Sequence, residues 1–413
     1  MKRALMVAFH FPPLAVSSGI QRTLRFVQHL PELGWEPIVL SAHPRAYERT
    51  GGDLLDDIPK GVVVERAFAL DTARHLSIAG SYPRFLARPD RWLTWRFGAV
   101  RAGLGLIRKH RPDVIWSTYP IATAHAIGDA LQRASGLPWI ADFRDPMAQD
   151  GYPEDPRVWQ SFRRIEERAI THARFSVFVT PGAARMYRQR YPAMVDRIQV
   201  IENGFDEESF AGLPGNGRSR EPLNPGAITI VHSGVVYPSE RDPTQLFAAL
   251  GRMVREGTLR PGELKLRFRA AVHDALLRAL AARNGVEALI ELVPPVPYRP
   301  ALEEMVRADG LLLLQAANCN EQVPAKLYEY LRAGRPIVAL TDPSGDTATV
   351  LREAGIDTIA RLDSSEEIAR LLSRFTVDIR ERRAPVADPG YVARASRRGR
   401  ARSLAALLDR SAR

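Results

Sequence analysis

The sequence predicts an α/β protein made of two Rossmann-like domains, each with a parallel sheet, and three observations predict it. Strand-like and helix-like segments alternate from residue 2 to about 202. The alternation stops in the run 213–226, which is rich in Pro, Gly, Ser and Asn and has no periodicity. It restarts at 228. Alternation of this kind argues for a parallel sheet covered by helices, and a run of turn formers marks a linker or an exposed loop.

In the first half the strands fall at 4–9, 36–41, 62–66, 113–117, 139–142, 175–180 and 199–202. Helices are expected near 20–33, 91–110, 120–135, 155–172 and 182–190. In the second half the strands fall at 228–233, 264–269, 289–293, 311–314, 337–340 and 358–360. The helices between and after them lie near 243–256, 273–284, 298–307, 324–333, 345–354 and 364–374. The expected division is a first domain over 1–205, a linker over 206–226 and a second domain over 227–385. A basic C-terminal helix over 386–413 would pack back on the first domain.

Composition bounds the function. At 413 residues the chain is too long for one ordinary core, and 45% hydrophobic content is that of a globular protein. The single cysteine, Cys319, excludes an internal disulfide framework and fits a reducing compartment, so the cytoplasm is expected. No apolar stretch approaches the roughly 18–20 residues that span a bilayer, and the N-terminus runs straight into a strand-like segment, so no signal peptide is expected. A formal charge of +11 implies an anionic partner: nucleic acid, acidic lipid headgroups or a phosphorylated substrate.

The most informative local feature is Glu321 and Glu329, eight positions apart in the run 318–334. Residues 309–315 form a short apolar run of the kind a buried parallel strand uses. Pro324 suits a first helical position and Gly334 a helix stop. Glu321 then lies in a loop beyond a strand's carboxyl end, Glu329 one to two turns inside a helix, and the N–H groups of residues 323–326 face the same space. In an open α/β sheet ligands bind there, anions at the helix N-terminus and hydroxyl-rich groups at the carboxylates.

Several further segments stand in order along the chain: 11–22, Ala141 to Pro146, Ile201 to Asp206, and Val231-His-Ser-Gly234. Together with Glu-x7-Glu before Gly334-Arg-Pro336, they resemble the GT-B glycosyltransferases, specifically the retaining family-4 type. The resemblance implies two domains facing across a cleft, the first binding an acceptor and the second a nucleotide-sugar. It implies that Glu329 holds the donor's ribose, that Glu321 and His125 hold the transferred sugar, and that Arg241 and Lys326 offset the leaving diphosphate's charge. Gly19, Ser233, Gly234 and Val323 would complete the donor site. The loop around Arg241 has one arginine where relatives carry an Arg and a Lys, so either Lys326 is the second cation or backbone N–H groups hold the phosphates.

Each residue also has a plainer reading. Glu329 could be a solvated helical glutamate, Glu321 a loop cap, Lys326 a surface lysine and His125 a packing histidine. Ser18 and Gly19 open the first helix, Gly19 as a phosphate contact or a plain turn glycine. Arg22 reads as a cleft or surface arginine. Asp142, Arg144 and Asp145, at a strand end, orient an acceptor or pair with one another. No Asp-x-Asp, His-Glu-x-x-His or cysteine cluster occurs, so no metal and no cofactor is expected. Cys319 has no evident histidine partner and reads as inert.

The segment 84–111 interleaves arginines with Trp92, Trp95 and Phe97. It either docks on an anionic bilayer, on the inner face of a bacterial plasma membrane, or sends its aromatics into the core. The Arg394 to Arg402 cluster reads as a solvated terminal helix or as a membrane or nucleic-acid contact, and no nucleic-acid module accompanies either patch. The expected protein is a metal-independent transferase acting on a sugar or lipid-linked acceptor in polysaccharide or glycolipid synthesis. Its rivals are a nucleotide-sugar epimerase of the same fold and a non-catalytic basic protein that binds nucleic acid.

Overall fold

The computed structural model describes residues 1–15, 19–52, 54–213, 221–260 and 262–412. Two compact units emerge: Met1–Asn203 together with the segment from Arg397 onward, and Gly204–Ser396. Ser18 lies outside the described residues, as do 214–220 of the expected linker.

The first unit is a parallel sheet of β1 (Lys2–Val7), β2 (Trp35–Ala42), β3 (Val63–Ala67), β4 (Val114–Thr118), β5 (Trp139–Arg144), β6 (Phe175–Phe178) and β7 (Ile198–Val200). The strand order is β3-β2-β1-β4-β5-β6-β7. Every residue of β4 is buried, as a strand covered by helices on both faces must be. Helices Leu93–His110, Ala122–Ser135 and Pro156–His172 pack together, the middle one against both others. Local chemistry fixes their ends. The Asp155 carboxylate accepts from the N–H groups of Arg157 and Val158, Pro156 occupies the first turn, and Gly136 closes the middle helix in the left-handed conformation.

The aromatic part of segment 84–111 takes the core alternative. Trp95 is fully buried, and Trp92 packs 4.7 Å from the Phe9 ring centroid while its Nε1 donates to Ala46 O at 3.1 Å. Phe97 alone of the three is exposed.

The C-terminal region is two helices, not one. Pro389–Ala395 belongs to the second unit, and Arg397–Ser411 packs on the Gly19–His29 helix of the first. Ala401, Leu404, Ala405, Leu407 and Leu408 join Ile20, Leu24 and Val27 in one apolar cluster. Three of its arginines are engaged: Arg400 pairs with Glu202 at 2.6 Å, Arg398 with Glu32 at 2.5 Å, and Arg410 lies over Phe175.

The second unit is a parallel sheet of β8 (Ile228–Ser233), β9 (Leu264–Arg269), β10 (Ile290–Val293), β11 (Gly310–Leu314), β12 (Ile337–Leu340) and β13 (Ile359–Ala360), in the order β10-β9-β8-β11-β12-β13. The central β11 is wholly buried, whereas β9 alternates. On its second face Arg267 pairs with Glu291 at 2.7 Å and Glu304 at 3.0 Å, and Arg269 with Glu304 at 2.7 Å, so both guanidinium groups are engaged within the unit.

Candidate active site

In the second unit the carboxyl ends of β8 and β11 and the helix Lys326–Ala333 meet. The helix begins two residues later than the proline signal suggests, with Ala325 as its cap, so Glu329 sits in its first turn. Among the described residues the N–H groups of Val323, Ala325 and Lys326 donate to no backbone carbonyl. A first turn in that state presents partial positive charge to an anion.

Lys326 stands over this turn. Its Nζ lies 3.3 Å from His232 Nε2 on β8, and no carboxylate pairs with it among the described residues. The other imidazole nitrogen, Nδ1, donates to Leu312 O at 3.0 Å, which leaves Nε2 as a neutral acceptor. Burial and the nearby ammonium hold His232 well below its ordinary pKa, so it stays uncharged. Burial, then the Arg241 guanidinium, lower the Lys326 pKa to about 7 against the opposing pull of Glu329. The lysine is therefore poised to take a proton when an anion arrives.

Gly234 adjoins the lysine. Its φ is +106°, which strains any side chain, and a Cβ there would lie 3.0 Å from Lys326 Nζ, so the lysine would have to give way. Arg241 donates to Val235 O at 2.6 Å and lies over the Tyr237 ring. Glu329 accepts from Tyr298 Oη at 2.7 Å, which orients its carboxylate.

The geometry narrows two of the expected donor contacts to particular atoms. The Ser233 N–H is already donated to Tyr330 Oη at 2.9 Å, and the Val323 side chain packs in the core. Only Val323's backbone is left for a ligand. Glu321 is exposed in the loop after β11. Cys319 is buried, and that burial raises its thiol pKa, in keeping with an inert cysteine. Among the described residues no three His, Cys, Asp or Glu side chains are arranged to hold a metal ion.

In the first unit the corresponding strand ends carry a different cluster. Asp142 is fully buried and takes a two-pronged ion pair from Arg22, at 2.9 and 2.8 Å, with Thr118 Oγ1 donating at 2.9 Å. Arg22 also donates to Ile201 O and Glu202 O. Arg22 is therefore buried and not a surface group, and Asp142 is held by Arg22, outside the expected triplet. Arg144 follows at an irregularity in β5, with φ +61°, and its Nη1 reaches Tyr119 O at 3.4 Å. Asp145 is exposed beside it.

Gly19 is required for a close approach. A Cβ there would collide with the His10 ring and come within 3.0 Å of Arg144 Nη1. His125 adopts its packing alternative: it is fully buried against Phe143, with Nδ1 2.8 Å from Ser117 Oγ. Burial lowers its pKa to about 3, so the ring is neutral. Nothing in its spacing along the helix distinguished an inward ring from an outward one. Arg22 was equally hard to assign, because its partner lies 120 residues away.

Comparison with known proteins gives the context. Residues 18–204 match the family model described as a glycosyl transferase 4-like domain. No significant match was found among curated proteins. Among solved structures, an α,α-trehalose 6-phosphate synthase from Burkholderia multivorans superposes with a TM-score of 0.63 at 13% identity, covering 99% of both chains. HepE from Anabaena, in complex with UDP and glucose, gives 0.58 at 14%, covering 98% of this chain and 95% of that one. A UDP-N-acetylglucosamine 2-epimerase from Listeria monocytogenes gives 0.56 at 14%, covering 98% and 94%. At such identities the likeness is one of fold.

Proposed function

We propose that this chain, which carries a glycosyl transferase 4-like domain and has the GT-B fold, moves a sugar from a nucleotide-sugar to an acceptor with retention at the anomeric carbon. The observation that carries this reading is the Lys326 site: a lysine that no carboxylate pairs with among the described residues, a glycine beside it, a helix turn with no side-chain cap beneath it and a carboxylate on the same helix. Diphosphate chemistry fits the first three and ribose hydroxyls fit the fourth. Lys326 and the free N–H groups receive the diphosphate, Arg241 adds long-range positive charge, and Glu329 accepts from the ribose. Glu321, in the adjoining loop, receives hydroxyls of the transferred sugar.

The bond from the anomeric carbon to the diphosphate oxygen breaks as the acceptor oxygen bonds on the same face. The acceptor's proton passes to the departing phosphate. Charge that develops on the leaving group is met by Lys326 and the helix turn, and no metal or protein nucleophile enters. Arg144 and Asp145 are assigned to the acceptor side, and Asp142 supports them by holding Arg22.

Four apolar side chains between 68 and 97, Phe68, Ile78, Phe85 and Phe97, are exposed in a region rich in arginine. This supports a peripheral contact with an anionic membrane and a lipid-linked or cell-envelope acceptor. Among the described residues no helix is long and apolar enough to cross a membrane. Phe85→Ser/Phe97→Ser should reduce vesicle binding; unchanged binding rules the contact out.

The epimerase reading is kept alive by the fold shared with the Listeria protein. Screening UDP-, GDP- and TDP-sugars for thermal stabilisation identifies the donor. Turnover that requires an added acceptor, and is lost in Glu329→Gln, supports the transferase; acceptor-independent conversion of the donor supports the epimerase.

A further inference from the structure

On the helical face of the first unit, a cavity of about 270 Å³ opens between helices Leu93–His110, Ala122–Ser135 and Pro156–His172. Spacing puts its side chains there. Ser161, Arg164 and Arg168 lie on one stripe of the last helix, Arg96 lies one turn after Leu93 on the first, and Arg88 comes from the preceding loop. The middle helix contributes Ala126, whose small side chain leaves the floor open. The loop is fixed to that helix, because Asp90 accepts from Thr123 N at 2.8 Å and from Thr123 Oγ1 at 2.9 Å.

The charge around this cavity does not balance. Four guanidinium groups line it against one carboxylate, Asp129, which is buried and already bonded to His172 Nδ1 at 2.6 Å, with Arg168 at 3.8 Å. Among the described residues the guanidinium groups of Arg88, Arg96 and Arg164 form no hydrogen bond or ion pair. His125 also borders the cavity, and its Nε2 is buried without a partner. Guanidinium groups that outnumber the acids around them repel one another, and an anion removes that cost. Their planar donors match the oxygens of phosphate.

We propose that this cavity is a second binding site, distinct from the donor site, for a phosphate ester with a small substituent. Its volume falls just below the roughly 300–1,000 Å³ usual for larger organic ligands, which fits a phosphate on a small polyol and not a whole nucleotide. The same chemistry is offered by a free phosphate ester and by a phospholipid headgroup. The site uses residues 88–168 only and stands whether or not the donor reading holds.

The test uses the full chain carrying Lys326→Ala, so that phosphate bound in the second unit does not contribute. Glycerol 3-phosphate is titrated by calorimetry, and sedimentation with phosphatidylglycerol-containing vesicles forms the second arm. Arg96→Gln/Arg164→Gln removes two charges. Ala126→Trp fills the partly exposed floor without changing charge. Circular dichroism checks that both variants fold.

Weakening of at least about tenfold by both variants is expected, as befits lost bidentate contacts. Weakening in the soluble arm assigns a free ester, and weakening confined to vesicles assigns a headgroup. If the parent binds neither probe, or if Ala126→Trp binds both as the parent does, the proposal is overturned.

Discussion

The two sheets end in clusters that differ in how their charge is settled. In the first unit Arg22 and Asp142 are 4% and 1% exposed and satisfy each other, with Thr118 and two backbone carbonyls completing the network. In the second, Lys326 faces a neutral imidazole and a helix turn whose first N–H groups donate to no backbone carbonyl among the described residues, and the positive charge of Arg241 acts on it. A closed ion pair of the first kind holds structure together. A concentration of positive charge such as the second holds structure slightly apart until an anion arrives.

If that contrast is right, substitutions at the two places should have opposite signatures. Arg22→Met should cost about 3–5 kcal/mol of stability, because it leaves the Asp142 carboxylate buried and alone. Denaturant unfolding measures this, and the double change Arg22→Met/Asp142→Leu should recover much of the loss. A mild effect from the single change would place Arg22 with the functional groups instead.

Lys326→Ala should do the reverse, lowering donor turnover about 10²–10³-fold while thermal stability without ligand stays level or rises. Steady-state kinetics beside a melting curve tests both halves. Gly234→Ala sits between these cases. Its φ of +106° strains any side chain, and the methyl would press on the lysine. We expect about 1–3 kcal/mol of destabilisation together with weaker donor binding, and an ordinary melting temperature would contradict it.

The smallest effect is in pH. The Lys326 pKa, near 7, lies below the roughly 10.4 of an unfolded lysine. The unfolded chain therefore binds more protons between those values, and lysine-linked stability without ligand rises with pH across that window. Donor binding runs the other way. An anionic ligand favours the charged lysine, so affinity is greatest below about pH 7 and falls by up to about tenfold per unit above it. Titration of the wild type against Lys326→Arg separates the contribution: the arginine variant should show a flatter profile, since its charge does not titrate there.

Why much of this architecture was legible is clear from β4 and β11, whose unbroken apolar runs bury both faces and announce parallel strands wherever they occur. The glutamate pair was legible because a loop, a helix start and Gly334 lie within one short window. Long-range choices were not legible. Whether Trp95 enters the core depends on Phe9, and the partner of Asp142 depends on Arg22, each far away in sequence. The state of the Ser233 N–H depends on Tyr330, which arrives from another element. Periodicity reports which face of an element is apolar and is silent about which polar groups will find each other.

The return of the Arg397–Ser411 helix to the first unit sets an order of events during synthesis. The apolar face of the Gly19–His29 helix is completed by Leu404 and Leu408, some 380 residues downstream of Leu24. At about 5–20 residues per second the ribosome supplies them roughly 20–80 s later. Until then Ile20, Leu24 and Val27 lack their final cover, although the second unit, whose ends join where Phe205 pairs with Ser396, has already been made. The Gly19–His29 helix is thus covered only after the whole second unit has been made.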